Sequence, residues 1–277
     1  MFELMLLPFL ACLVLTGIHA YLGMHIIKRE VIFVDLALAQ IAALGAVVAL
    51  LFGIELHSMS AYIVSMGFTF IGATIFALTR LRKKDVPQEA IIGIVYAVTA
   101  AASILVLSKA PMESEHLKDM LVGNILFVKG SHIIKMLVLY SVIGIFHYIY
   151  RKNFFAVSDG AGKVLKKKIN VRWWDFLFYA SLGVVVTSSV EIAGVLLVFS
   201  CLIVPAVCAI MITDNLKFRL IIGWAIGTIT SLIGLYLSAV YDFPTGAAIV
   251  FAFGMVLILV WIVKLVFGNI FVVRKGV

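Results

Sequence analysis

Residues 192–213 read IAGVLLVFSCLIVPAVCAIMIT, without one Asp, Glu, Lys or Arg. As an α-helix rising about 1.5 Å per residue, such a stretch is about as long as the hydrocarbon core of a bilayer is thick. It has no polar stripe that a water-facing helix would need. Working outward, eight more stretches have the same character: 4–27, 31–53, 58–79, 88–108, 131–150, 174–190, 219–240 and 245–267. Of the 277 residues, 64% are apolar and 13% charged. A soluble fold is nearer half apolar and a quarter charged. That excludes a soluble enzyme, a disordered tail and a secreted disulfide domain. The reading is an all-α polytopic membrane protein of about 8–9 transmembrane helices, with residues 1–277 forming a single transmembrane domain. The stretch LKDMLVGNILFV (117–128) is too short to span and reads as an interfacial or re-entrant piece, with Gly123 and Asn124 as a possible break. The N-terminus carries Glu3 and no basic run, so its apolar stretch reads as a retained first span.

The charges orient these spans. With the N-terminus outside, 18 of the 22 Lys and Arg residues fall on the inner side, and only Lys109, Lys118, Lys129 and Lys135 fall outside. Basic residues concentrate in short inner loops, so the C-terminus is expected inside. The net charge of +8 then reflects topology rather than nucleic-acid binding, since no basic cluster is interleaved with aromatics. In the eighth stretch Gly223, Gly227, Ser231, Gly234 and Ser238 repeat at three- and four-residue steps. That face permits close helix approach, either within the chain or across a dimer interface.

Few residues offer chemistry. Cys12, Cys201 and Cys208 lie in apolar runs and form no C-x-x-C pair, so they read as packing residues. GAGKV (160–164) lacks the preceding Gly and following Ser or Thr of a phosphate loop. ATP chemistry must therefore come from another subunit. Ionisable groups inside spans are costly and point to function. Asp35 heads a small-residue face continued by Ala39, Ala42 and Ala46, and such a carboxylate either touches a passing cation or pairs locally with Lys28 or Arg29. Gln40 lies about 140° away around a regular helix. His19 is mid-span, as a ligand or as a hydrogen-bonded packing residue. Glu191 sits beside Thr187, Ser188 and Ser189 at the expected turn between the sixth and seventh spans, and His25 and His147 sit near inner ends, where they reach the interface. The loop 151–173 combines Phe154, Phe155 and Val157 with Asp159, Gly160, Gly162 and a basic run beginning at Lys163. It reads as an anchoring loop on anionic headgroups or as a docking segment.

Four stretches together resemble a known family: LGMHIIKREVIFVDLALAQIAALG (22–45), EAIIGIVYAVTAAASILVLS (89–108) with VGNILFV (122–128), the loop 153–172, and VEIAGVLLVFSCLIVPAVCAIMIT (190–213) with LYLSAVYDFPTGAAIVF (235–251). In this order and spacing the chain is similar to the integral-membrane permeases of bacterial metal ABC importers, in the zinc, manganese and iron group. The resemblance implies a permease, not an enzyme, in the bacterial cytoplasmic membrane. It further implies a second permease copy, a cytoplasmic ATPase that binds the ATP, an extracytoplasmic metal-binding protein, lipid but no nucleic acid, and no cofactor other than the divalent metal cargo. It makes 153–172 the coupling loop, through Phe154, Phe155, Asp159, Gly160, Gly162 and Lys163, and makes Asp35 and Gln40 pathway contacts for the metal, to which His19, read as a ligand, adds a third. Relatives usually carry an Asp and, four residues later, a His in the second helix. Here Ala39 follows Asp35 by four, and anchoring on Gly45 places Gln40 where the His would be and Leu36 where the Asp would be. An importer of a metal chelate with the same architecture, and a proton-coupled secondary transporter, are the alternatives.

Overall fold

The computed structural model describes residues 2–55, 58–80, 86–108, 123, 125–159 and 169–272. They form ten α-helices: α1 (Phe2–Arg29), α2 (Val34–Leu51), α3 (Met59–Leu78), α4 (Gln88–Leu107), α5 (Gly130–Ile149), α6 (Arg151–Ser158), α7 (Val171–Ala193), α8 (Val195–Ile212), α9 (Leu216–Tyr241) and α10 (Thr245–Val272). Among the described residues nine of these, all but α6, are long and apolar enough to cross a membrane. Only a 3₁₀ turn, Ile125–Phe127, falls within 117–128, preceded by Gly123 at φ +66°, while 117–122 and 124 lie outside the described residues.

Local chemistry sets the ends. Ser58, Asn170 and Asn215 accept hydrogen bonds from the first free N–H groups of α3, α7 and α9. Glu30, at φ +58°, turns the chain out of α1, and Val31 N–H then reaches back to the Ile26 carbonyl. The break between α7 and α8 is at Gly194, at φ +75°, three residues later than the expected turn at Glu191, which still lies in the last turn of α7. Gly194 adopts a conformation that a side chain strains, and Glu191 does not need one.

The chain divides into two compact units. The first holds α1 up to Met24, residues 125–134, and α8 from Leu196 through α10. Its helices approach through small residues: a Cβ on Gly23 would lie 1.9 Å from the Leu202 carbonyl oxygen, and one on Gly234 would lie 2.4 Å from Ile249 Cα. The second unit holds the end of α1 from His25, α2 to α4, Lys135 onward in α5, α6 and α7. There α2 packs on α3, α4 and α7, and α6 packs on α7. A Cβ on Gly45 would lie 2.8 Å from Ser65 Cα. Outward faces carry large apolar residues such as Ile94, Val98 and Leu105 on α4 and Phe251, Leu259 and Trp261 on α10. Hydrocarbon accepts such faces without the penalty water would impose.

Candidate functional site

The second unit carries two groups of buried polar residues. The first surrounds α6. Eight residues are too few for a stable isolated helix, so its seat decides its structure. Phe154 is 0% exposed. Its ring stacks on His147 of α5, with centroids 4.0 Å apart and planes within 4°, and meets Trp174 of α7 edge-on at 5.2 Å. At the end of α6 the Ser158 hydroxyl lies 2.8 Å from His25 Nδ1 and accepts from Arg29 Nε at 2.9 Å. Lys28 Nζ donates to Asp159 Oδ1 at 2.5 Å. Phe155 is half-buried against the His25 ring, while Arg151, Lys152 and Asp159 are exposed. Gly160, Gly162 and Lys163 lie outside the described residues. His25 and His147 do not reach the interface as expected. Both are buried, and His147 Nε2 sits 2.8 Å from the Ser181 hydroxyl, because the aromatic seat of α6 covers them.

Arg29 continues inward from Ser158. Its Nη1 donates to Asp175 Oδ1 of α7 at 2.5 Å, and Arg80 Nη1, just past α3, donates to the same oxygen at 2.5 Å. The Arg29 and Asp175 side chains are both fully buried, and the guanidinium carbon lies 3.9 Å over the Phe178 ring. One carboxylate thus compensates two guanidiniums. Arg29 Nη2 and Asp175 Oδ2 are buried without a hydrogen-bond partner among the described residues.

The second group lies between α2 and α4. Asp35 is in the first turn of α2, 2% exposed, held by the N–H groups at the helix start. An N-terminal turn favours a carboxylate. The local pairing with Lys28 or Arg29 does not form: Lys28 is on Asp159, and Arg29 is on Ser158 and Asp175. Asp35 Oδ1 has no partner among the described residues, and Glu89 of α4 is near enough for its charge to act on it. Glu89 Oε1 accepts from the N–H of Phe33, the residue that opens α2, at 2.9 Å, while its Oε2 is buried without a partner among the described residues. Gln40 Nε2 donates to Ser103 of α4 at 3.3 Å. Asp35 and Gln40 therefore meet different residues of the same neighbouring helix, Glu89 and Ser103, although they lie about 140° apart around a regular helix. Thr187, Ser188 and Ser189 are engaged by Thr69 of α3 and Tyr140 of α5, and Glu191 is exposed.

In the first unit His19 is buried, and its Nδ1–H donates to the Leu15 carbonyl at 2.7 Å. Gly223 faces Ala20 and Pro205, Gly227 faces Thr16, and Gly234 faces Ile249, while Ser231 lies buried on the same helix. The three cysteines are buried free thiols. Arg80, Asp175, Ser158 and Glu89 escape a reading of the sequence, and Arg29 enters it only as a local partner for Asp35. The signal for Asp175 was an acid opening an otherwise apolar span, WWDFLFY (173–179), where a buried charge needs a partner.

A family profile described as the ABC 3 transport family matches residues 1–264. The manganese transport system membrane protein MntC of Listeria innocua is 29% identical over 200 residues, covering 68% of this chain and 69% of its own length. A probable iron transport system membrane protein of Haemophilus influenzae is 23% identical over 259 residues, covering 90% of this chain and 89% of its own. Among solved structures, PsaBC from Streptococcus pneumoniae in complex with Fab matches with a TM-score of 0.77 at 19% identity, over 94% of this chain and 91% of that one. A putative metal-chelate type ABC transporter in an inward-facing conformation matches with a TM-score of 0.68 at 16% identity, over 92% and 84%. At these identities the structural likeness is one of fold.

Proposed function

The chain belongs to the ABC 3 transport family, a membrane permease of metal ABC transporters rather than an enzyme, and on that premise we propose that it forms the pathway of an ATP-driven importer of divalent transition metal ions such as zinc, manganese or iron. Two copies line the pathway, a separate cytoplasmic ATPase drives it, and an extracytoplasmic binding protein delivers the ion. The chain holds no cofactor of its own; the metal is cargo, and ATP binds the partner. Residues 1–277 act as one permease domain in a bacterial cytoplasmic membrane, with the N-terminus outside and the C-terminus inside. The observation that carries this reading is α6, a non-spanning helix with Arg151 and Lys152 exposed on one side and Phe154 and Ser158 seated on the other. That is the form of a segment that receives a push and hands it to the spans. We assign the ATPase contact to the coupling loop 153–172, in which Phe155, Asp159, Gly160, Gly162 and Lys163 join Phe154, whose part is to seat the helix.

Asp35, Gln40 and His19 are the proposed pathway contacts. A transport path must bind weakly enough to release its ion, and a carboxylate without an imidazole partner meets that need. In proteoliposomes holding permease and ATPase, uptake of Mn²⁺ is expected to require ATP. Asp35→Ala should lower uptake by about tenfold or more while the ATPase still co-purifies. Normal uptake removes Asp35 from the pathway, and ATP-independent uptake by the permease alone overturns the reading as a whole. The chelate importer is the second reading. Gln40 in place of an imidazole, and a fold shared with a putative metal-chelate type transporter, both favour it. Competition of a ferric chelate with Mn²⁺ for uptake separates the two.

A further inference from the structure

The Arg29–Asp175–Arg80 cluster has more bonding capacity than it uses. Both arginines donate to the same Asp175 oxygen at 2.5 Å. The second oxygen and Arg29 Nη2 stay buried and unbonded among the described residues. A carboxylate has room for a two-pronged arginine contact. If Arg29 presented both Nη groups to Asp175, the two orphan atoms would satisfy each other, and both carboxylate oxygens would be held without Arg80. Arg80 is positioned to leave, since its side chain is 24% exposed while the other two are sealed. The cluster therefore has two arrangements with similar bonding: one ties α7 to both α1 and the end of α3, and the other ties α7 to α1 alone.

What selects between them is the far side of the same guanidinium. Arg29 Nε donates to Ser158 at the end of α6. A guanidinium is rigid and planar, so turning its Nε edge re-aims its Nη edge. The Phe178 ring, 3.9 Å from Cζ, confines that motion to sliding over the ring face. Displacing Ser158 is thereby felt at Asp175. We propose that Asp175, with Arg29 and Arg80, is an ion-pair exchange point, and that these three are positioning residues that convert a push on α6 into a change of contact among α1, α3 and α7. The inference rests on the reading of α6 as the ATPase-docking helix. It adds a chemical device to that reading, at residues other than the proposed metal contacts.

The test uses the full complex of permease, ATPase and binding protein in proteoliposomes, measuring Mn²⁺ delivered per ATP hydrolysed. Arg80→Gln leaves the buried Arg29–Asp175 pair in place and removes the exchange. It should lower the ratio about tenfold while assembly and hydrolysis stay within about twofold. Asp175→Asn should lower the ratio further, and Arg219→Gln, from the pair with the 88% exposed Asp214 side chain, should leave it unchanged. An unchanged ratio in assembled Arg80→Gln complex overturns the proposal. So does a fall of uptake and hydrolysis in proportion, or an equal drop in Arg219→Gln. If Asp175→Asn fails to assemble, Arg80→Gln decides alone. The docking reading fails by a separate sign: an ATPase that still co-purifies after residues 159–168 of the assigned loop are scrambled.

Discussion

Truncating Phe154 to Ala tests how α6 is held. The ring is fully buried, stacked on His147 and met edge-on by Trp174, with Phe146 at 5.8 Å and Phe178 at 6.5 Å. Removing a buried phenylalanine costs about 3–5 kcal/mol, from lost transfer energy and from the cavity left behind. The neighbours here are themselves aromatic and packed on one another, so they collapse poorly into the space. The Ser158 hydrogen bonds remain, and eight residues have little helical stability of their own. Local opening of α6 should therefore become more frequent by about two to three and a half orders of magnitude, at about 1.4 kcal/mol per tenfold. Amide hydrogen exchange of 154–158 in the isolated permease in nanodiscs reads that opening directly. Phe155→Ala, at a half-buried ring, should give a clearly smaller increase. The same Phe154 variant should weaken ATPase co-purification, as a consequence of the loosened helix. Unchanged exchange in the isolated permease, together with lost ATPase binding, refutes the reasoning, because it would place the ring in the partner rather than in the seat.

Other substitutions probe the packing and the pathway. Gly123→Ala places a Cβ 2.2 Å from the Ala193 carbonyl carbon at a residue with φ +66°; since backbone cannot yield cheaply, it should lower thermal stability in detergent by more than the about 1–2 kcal/mol of the left-handed conformation alone. Alanine on α9 should become worse along the helix in the order Gly223, Gly227, Gly234, because the new Cβ meets Ala20 at 3.5 Å, Thr16 Cγ2 at 2.4 Å and then Ile249 Cα at 2.4 Å. Melting temperatures of the three variants check the order, and a Gly234→Ala protein as stable as Gly223→Ala contradicts it. Gln40→His supplies an imidazole, which suits zinc better than it suits manganese, so competition of Zn²⁺ against Mn²⁺ uptake should shift toward zinc. An unshifted competition takes Gln40 out of the ion's path.

The spans were legible because each is fixed by its own residues: length and a run of apolar side chains, with a flanking cap or glycine at some ends. Asn170 and Asn215 start helices through side-chain bonds only two or three residues away, so the cause lies within the segment. Gly194 moved one boundary, since periodicity in an all-apolar run carries no phase. The pairings behaved differently. Arg29 and Asp175 are 146 positions apart, and His25 and Ser158 are 133 apart. Neither residue of either pair has a local feature that names its partner. Lys28 and Arg29 read equally well as inner-loop charges or as partners of Asp35, and only packing sends one to Asp159 and the other to Asp175. Phe154 likewise shows its apolar character in sequence but not the side it turns, because a single amphipathic turn fits a membrane, a partner or the chain's own spans.

The two buried acids of the second unit occupy opposite electrostatic situations, and that decides which of them is available to a cation. Asp175 faces two guanidiniums at 2.5 Å. A passing divalent ion would meet a site whose charge is already overcompensated, and burial strengthens that repulsion because little water screens it. Asp35 has a buried oxygen without a partner, a second carboxylate acting on it from Glu89, and no guanidinium or ammonium bonded to it among the described residues. There the same weak screening favours a cation, which would offset both carboxylates at once. Exchanging the roles by Asp175→Asn cannot create a cargo site, since it leaves Arg29 and Arg80 uncompensated, whereas Glu89→Gln should weaken Mn²⁺ uptake in the direction of Asp35→Ala. The proposed division of cargo and coupling between two carboxylates of one unit follows from which acids the arginines reach.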